Sequence, residues 1–215
     1  MLVEEIMNQN VFTLKENDSV EQAITIINEK KIRHIPIVND QNNLVGIVTD
    51  RDIKEAAPSS LYIHQNHDFF TKRVKEIMKK EIVTAHPLDF VEEVAVLFYE
   101  HRIGCLPIVK EDILVGIITQ TDVLRTFVEL TGAHQPSSQI EIKVPNRAGM
   151  LYEVASIIRE KNINVQSVLV YPDRKNDGYK ILVFRLQTMN PLSIIQTLKE
   201  KNFEVLWPNM PGIPS

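Results

Sequence analysis

The feature that most limits what this chain can fold into is an internal repeat. Val3-Glu4-Glu5-Ile6-Met7 returns as Val74-Lys75-Glu76-Ile77-Met78, and the separation of 71 residues persists. Val11-Phe12-Thr13 matches Ile82-Val83-Thr84, and Ile32-Arg33-His34-Ile35-Pro36-Ile37-Val38 matches Ile103-Gly104-Cys105-Leu106-Pro107-Ile108-Val109. One residue is then lost in a turn, after which Leu44-Val45-Gly46-Ile47-Val48-Thr49-Asp50-Arg51-Asp52 matches Leu114-Val115-Gly116-Ile117-Ile118-Thr119-Gln120-Thr121-Asp122.

Each copy reads as helix, short strand, helix, strand, turn, strand, helix. From Ser19 to Lys30, the residues Val20, Ala23, Ile24 and Ile27 fall at helical spacing behind an Asp18-Ser19 start signal. Phe90 to His101 repeats the pattern. Ile35–Val38 and Leu44–Val48 are short β-branched runs split by the turn signal Asn39-Asp40-Gln41-Asn42-Asn43. Pro36 and Pro107 lack a backbone donor, so they are expected at a strand's start or edge. One copy alone would expose a sheet face. Two can pack around a pseudo-twofold axis and leave two symmetric clefts.

At 215 residues with 44% hydrophobic side chains, the chain has the size and apolar content for two ordinary cores. A net charge of −4 gives no basic excess to attract nucleic acid or anionic lipid. Apolar runs such as Ile113–Ile118 have strand length, so no membrane span is expected. The first residues lack the basic leader and apolar core of a signal peptide, and the single cysteine, Cys105, fits a reducing, cytoplasmic location.

Thr49-x-x-Asp52 and Thr119-x-x-Asp122 both stand where an apolar strand gives way to a helix. A carboxylate there can accept the hydroxyls of a ribose, and backbone N–H groups at a helix start suit phosphate. The same spacing is also an N-terminal capping pattern that needs no ligand. Both readings stand at this point.

The series Ile-Met…Val-x-Thr…Ile-Pro-Ile-Val…Leu-Val-Gly-Ile-Val-Thr-x-x-Asp resembles a CBS domain, and its recurrence resembles a CBS pair, or Bateman module. The resemblance implies adenosine-nucleotide binding. By motif it nominates Thr13, Arg33, Ile35, Thr49, Arg51 and Asp52 from copy one, and Thr84, Gly104, Leu106, Thr119, Thr121 and Asp122 from copy two. Arg33 and Arg51 are replaced by Gly104 and Thr121, so the two clefts are expected to differ in their preference for phosphate.

Thr131–Ser138 is a break in composition, and the segments beyond it read β, α, β, β, α, β, a ferredoxin-like sandwich. Its first loop, Val144-Pro145-Asn146-Arg147-Ala148-Gly149-Met150-Leu151, resembles the Asn-Arg-x-Gly-x-Leu signature of ACT domains. That resemblance nominates Asn146, Arg147, Ala148 and Gly149 for an amino acid or other small effector, with dimerisation as the alternative role. Asn146 is placed to cap the following helix, and Gly149 to allow a close approach. The fold class expected is thus α/β (α+β): CBS repeat 1 over 1–55, a connector over 56–73, CBS repeat 2 over 74–130, a linker over 131–138 and an ACT domain over 139–210.

No nucleophile with a paired base is visible, and Cys105 reads as a small buried hydrophobe, so no catalytic residues are expected. His64-x-x-His67 is the one close histidine pair, and without a carboxylate or cysteine cluster it is read as surface, with no metal and no required cofactor. The CBS–CBS–ACT order over nearly the whole chain, with His86–Glu93 and Lys180–Arg185, resembles the acetoin-utilisation (AcuB) family. This implies a role in acetoin or butanediol catabolism, a homodimer, and a partner enzyme that the sequence does not identify. Competing expectations are a structural scaffold with vestigial clefts, and an enzyme acting on acetoin.

Overall fold

The computed structural model of the chain describes residues 1–57 and 67–208. Two compact units divide it, Met1–Leu124 and Arg125–Ser215. The division falls inside the helix Gln120–Thr131 that precedes the composition break.

In the first unit, α1 (Val20–Lys30) is followed by the hairpin β1 (His34–Val38) and β2 (Leu44–Thr49), α2 (Asp50–Ala56) and the short α3 (His67–Thr71). Copy two gives α4 (Val91–His101), β3 (Cys105–Lys110), β4 (Ile113–Thr119) and α5 (Gln120–Thr131). Ser19 caps α1 as its sequence indicates: its hydroxyl accepts from Gln22 N, and its N–H donates to Gln22 Oε1 at 2.8 Å. The first helix expected in each copy is only a 3-10 turn, Val3–Glu5 and Val74–Glu76, and the short strand reduces to single bridges at Leu14 and Ala85. Pro36 and Pro107 stand inside β1 and β3, each an edge strand of a two-stranded sheet. The Pro36 carbonyl and the Val38 N–H both bond Leu14, so the donor-less nitrogen faces that single-bridge side, away from β2, and the register to β2 shifts just beyond it, between Ile37 and Val38.

The copies are interlocked by reciprocal exchange. Lys79 of copy two pairs with Ile47 at the outer side of β2, and Asn8 of copy one pairs with Ile117 of β4 in the same way. Leu2 bridges Phe90, and Ser19 bridges Arg73. Each core is therefore completed by the other copy: Val74 and Met78 lie with Leu14, Val20, Ile35, Ile37 and Val48, while Val3 lies with Val94, Leu106, Ile108 and Ile118. The glycine in each Leu-Val-Gly-Ile strand has its cause here. A Cβ on Gly46 would stand 2.4 Å from Met78 Sδ, and one on Gly116 would stand 2.6 Å from Met7 Sδ.

The second unit follows the order β5 (Ser138–Pro145), α6 (Met150–Glu160), β6 (Val165–Pro172), β7 (Tyr179–Leu186), α7 (Leu192–Glu200), β8 (Glu204–Trp207). The four strands form an antiparallel sheet in the order β6-β7-β5-β8, the βαββαβ arrangement expected from its alternating pattern. Ile140, Ile142, Val144, Leu182, Phe184 and Leu186 alternate onto one face and bury against Val154, Ile157, Ile158, Ile194, Ile195 and Leu198 of the two helices.

Candidate functional site

Both Thr-x-x-Asp segments form the same closed box at a helix start. Thr49 N and Thr49 Oγ1 donate to Asp52 Oδ2 at 2.9 and 2.6 Å, and Asp52 N donates back to Thr49 Oγ1 at 3.2 Å. In copy two, Thr119 N and Oγ1 donate to Asp122 Oδ2 at 2.9 and 2.6 Å, and Asp122 N donates to Thr119 Oγ1 at 3.3 Å. The capping interpretation of these motifs is thus realised. It does not exhaust the copy-one motif, because the box engages Asp52 through Oδ2 alone.

The backbone ties two of the nominated residues, Arg33 and Gly104, to these helix starts. Asp50 N donates to the Arg33 carbonyl at 3.0 Å, and Gln120 N to the Gly104 carbonyl at 3.2 Å, tying the residue before each hairpin to the helix start after it. Thr13 and Thr84 directly precede Leu14 and Ala85, which bridge the outer sides of β1 and β3. Ile35 and Leu106 are wholly buried in the two cores. They can meet a ligand only through backbone, so their side chains hold the strands and do not line a cleft. Arg33 is exposed. Arg51, also exposed, donates from Nε to Glu55 Oε1 at 2.8 Å along its own helix. Thr121 is exposed on the first turn of α5.

Sequence reasoning missed two residues at the copy-one box. Lys79 Nζ lies 3.0 Å from Asp52 Oδ1, pairing the oxygen that the box leaves over; the carboxylate side chain is 5% exposed. His34, first residue of β1, is half-buried and its ring stands close to Gly104, where a Cβ would be 3.2 Å from Nε2. Burial, then the charge of Arg33, hold its pKa below the ordinary imidazole value against the opposing pull of Asp50 and Asp52. The repeat did hold a signal for Lys79, since its counterpart is the neutral Asn8.

In the second unit, residues 146–149 form an exposed loop before α6. Asn146 does not cap the helix. Its N–H bonds the Gly178 carbonyl at 2.8 Å and its side-chain amide reaches Asp177 O, tying the loop to the turn before β7, while Gly149 occupies the N-cap position with no side-chain bond. Gly149 takes a φ of 89°, a left-handed conformation that glycine adopts without strain, and no atom of the chain lies within 4 Å of where its Cβ would stand. Arg147 pairs with Glu153 at 3.3 Å, and Ala148 is exposed beside it.

Burial pushes the Cys105 thiol up to about 12, which leaves it protonated and unreactive. Among the described residues no group of three or more His, Cys, Asp or Glu could hold a metal ion; His64 and the side chain of His67 lie outside them. No helix of the described residues is long and apolar enough to cross a membrane.

The CBS domain model matches residues 3–59 and 74–129, and the ACT domain model matches 138–202. A Vibrio cholerae chain described as an acetoin utilization protein (AcuB) is 30% identical, with a TM-score of 0.55 over 64% of this chain and 98% of that one. The CBS domain pair of protein MJ0100, solved with 5′-methylthioadenosine and S-adenosyl-L-methionine, is 32% identical at a TM-score of 0.52, covering 63% and 98%. CBSX2 in complex with AMP is 27% identical at 0.52, covering 59% and 96%. Among curated relatives, a homoserine O-acetyltransferase of Methanococcus vannielii is 30% identical over 127 residues, 59% of this chain. The chain spans only 25% of that enzyme.

Proposed function

The chain belongs to the CBS-domain family, joining a tandem CBS pair to an ACT domain, and from this premise we propose that it is a non-catalytic regulatory protein sensing adenosine nucleotides. The observation that carries the reading is the doubled Thr-x-x-Asp box in a chain whose structural relatives hold AMP, 5′-methylthioadenosine and S-adenosyl-L-methionine. The candidate contacts are Thr13, Arg33, Ile35, Thr49, Arg51 and Asp52 of copy one and Thr84, Gly104, Leu106, Thr119, Thr121 and Asp122 of copy two, and a cleft can draw on both copies, as the His34 ring beside Gly104 illustrates. In each, the carboxylate accepts ribose hydroxyls, and nucleotide binding favours one arrangement of the interlocked copies over another.

The ACT domain is the output in this reading, as a small-effector site at Asn146–Gly149 or as a dimer surface. Homodimerisation is supported by strand β6, an edge of the sheet, which leaves Val168, Leu169, Val170 and Tyr171 37–50% exposed. The likeness to the V. cholerae chain supports a place in acetoin or butanediol catabolism, acting on a partner enzyme.

Thermal melting of the full chain with AMP, ATP and S-adenosylmethionine tests the proposal. A ligand at a hundredfold excess over its Kd adds about 2.7 kcal/mol, an upward shift that is readily resolved. No shift with any of the three leaves a scaffold with vestigial clefts as the better description. A melting temperature that rises with protein concentration reports the dimer in the same measurement.

A further inference from the structure

Lys79 is a residue of copy two seated on the Thr-x-x-Asp box of copy one. Its backbone is fixed there: Lys79 N donates to Ile47 O at 2.9 Å, and Ile47 N donates to Lys79 O at 3.0 Å. Its stem thus starts beside the end of β2, two residues before Thr49. The ammonium ends 3.0 Å from Asp52 Oδ1 and stays 61% exposed at the side-chain level, against 5% for the carboxylate. Thr49 occupies the other oxygen. The corresponding place on copy two holds Asn8, with the same ladder to Ile117 at 2.9 and 3.0 Å. The Asn8 side chain turns back on its own segment, where Oδ1 accepts from Asn10 N at 3.0 Å. Asp52 therefore carries a cation delivered by the other copy, while the ladder position equivalent to Lys79 holds a neutral amide.

We infer that Lys79 makes the Asp52 site selective for adenosines bearing a 5′-phosphate over neutral or sulfonium adenosines. The inference rests on the nucleotide reading above. When ribose hydroxyls donate to Asp52 Oδ1, they displace the ammonium from its counter-ion. A 5′-phosphate supplies a new counter-ion within the swing of the flexible four-carbon stem, so the cation is handed from carboxylate to phosphate. Adenosine leaves the ammonium, 61% exposed, to water in place of its counter-ion, and a sulfonium adds like-charge repulsion. Arg51 contributes less than its sequence position suggests, because Glu55 already holds its guanidinium.

The experiment is calorimetric titration of the full-length protein with AMP, adenosine and S-adenosylmethionine, for the natural chain, Lys79→Asn and Asn8→Lys. In the natural chain one site prefers AMP over adenosine by about tenfold or more, the worth of one charge-assisted contact. Lys79→Asn brings that ratio toward one while adenosine binding is kept or tightened, since nothing competes for Asp52. Asn8→Lys gives the second site a preference for AMP, which provides an independent reading if Lys79→Asn does not fold. A natural chain that binds AMP and adenosine equally overturns the inference and leaves the nucleotide reading standing. So does a Lys79→Asn chain in which both affinities fall by the same factor, because that is the signature of a structural lysine. If none of the three ligands binds the natural chain, the nucleotide reading itself fails and takes the inference with it.

Discussion

At the scale of single residues, His34 gives the first unit a pH dependence whose sign is fixed by its surroundings. Burial and Arg33 lower its pKa in the folded state, so the unfolded chain binds more protons as the pH falls through the ordinary imidazole value. The stability that neutral His34 preserves is present above about pH 6.5 and is lost progressively below it. His34→Gln should flatten the stability profile of the full chain between about pH 7 and 5, read from urea melts; an unchanged slope would refute the assignment. His34 left no signal in the sequence, and Lys79 left only its difference from Asn8 across the repeat; the neighbours that set each in place, Gly104 for one and Asp52 for the other, come from the fold. The Thr-x-x-Asp boxes were legible because cap and acid lie three residues apart and need no tertiary contact to meet. Ile35 and Leu106 show what motif position alone does not tell: strand alternation turns both side chains into the cores, so only their backbone is offered to a ligand.

At the scale of elements, most helices and strands could be read from periodicity, and the exceptions have local causes. The amphipathic Val3–Met7 and Val74–Met78 segments suggested helices, but only a 3-10 turn forms, because their apolar residues are drawn into the other copy's core. That exchange explains the glycine in each Leu-Val-Gly-Ile strand, and it is testable. Gly46→Ala places a methyl against Met78 Sδ and should destabilise the first unit by about 1–3 kcal/mol, the usual range for overpacking a well-filled core. In a Met78→Ala background the same substitution should cost much less, and the coupling is measured by a double-mutant cycle of denaturant melts. Additive effects of the two substitutions would mean that the exchanged segment does not pack on β2. The ACT loop shows a further limit of local reading. Asn146 has the composition of a helix cap, yet its bonds run to the turn before β7, since Gly149 takes the cap position with a left-handed φ.

At the scale of the whole molecule, the repeat made the fold class of the first two thirds legible, and the alternating pattern after the break did the same for the sandwich. What the repeat concealed is that copies sharing their motifs differ in the residues set around the two boxes. The difference rests on residues that exchange across the pseudo-symmetry, Lys79 against Asn8, as well as on Arg33 against Gly104 within each copy. On the proposed reading, two such sites respond over two ranges of nucleotide concentration. Titration of AMP into the full chain by calorimetry is the most direct test. Two unequal binding events per chain are expected, the tighter removed by Asp52→Ala and the weaker by Asp122→Ala. Two indistinguishable sites, or no binding heat at millimolar AMP, would contradict the claim that this chain is an asymmetric adenosine-nucleotide sensor.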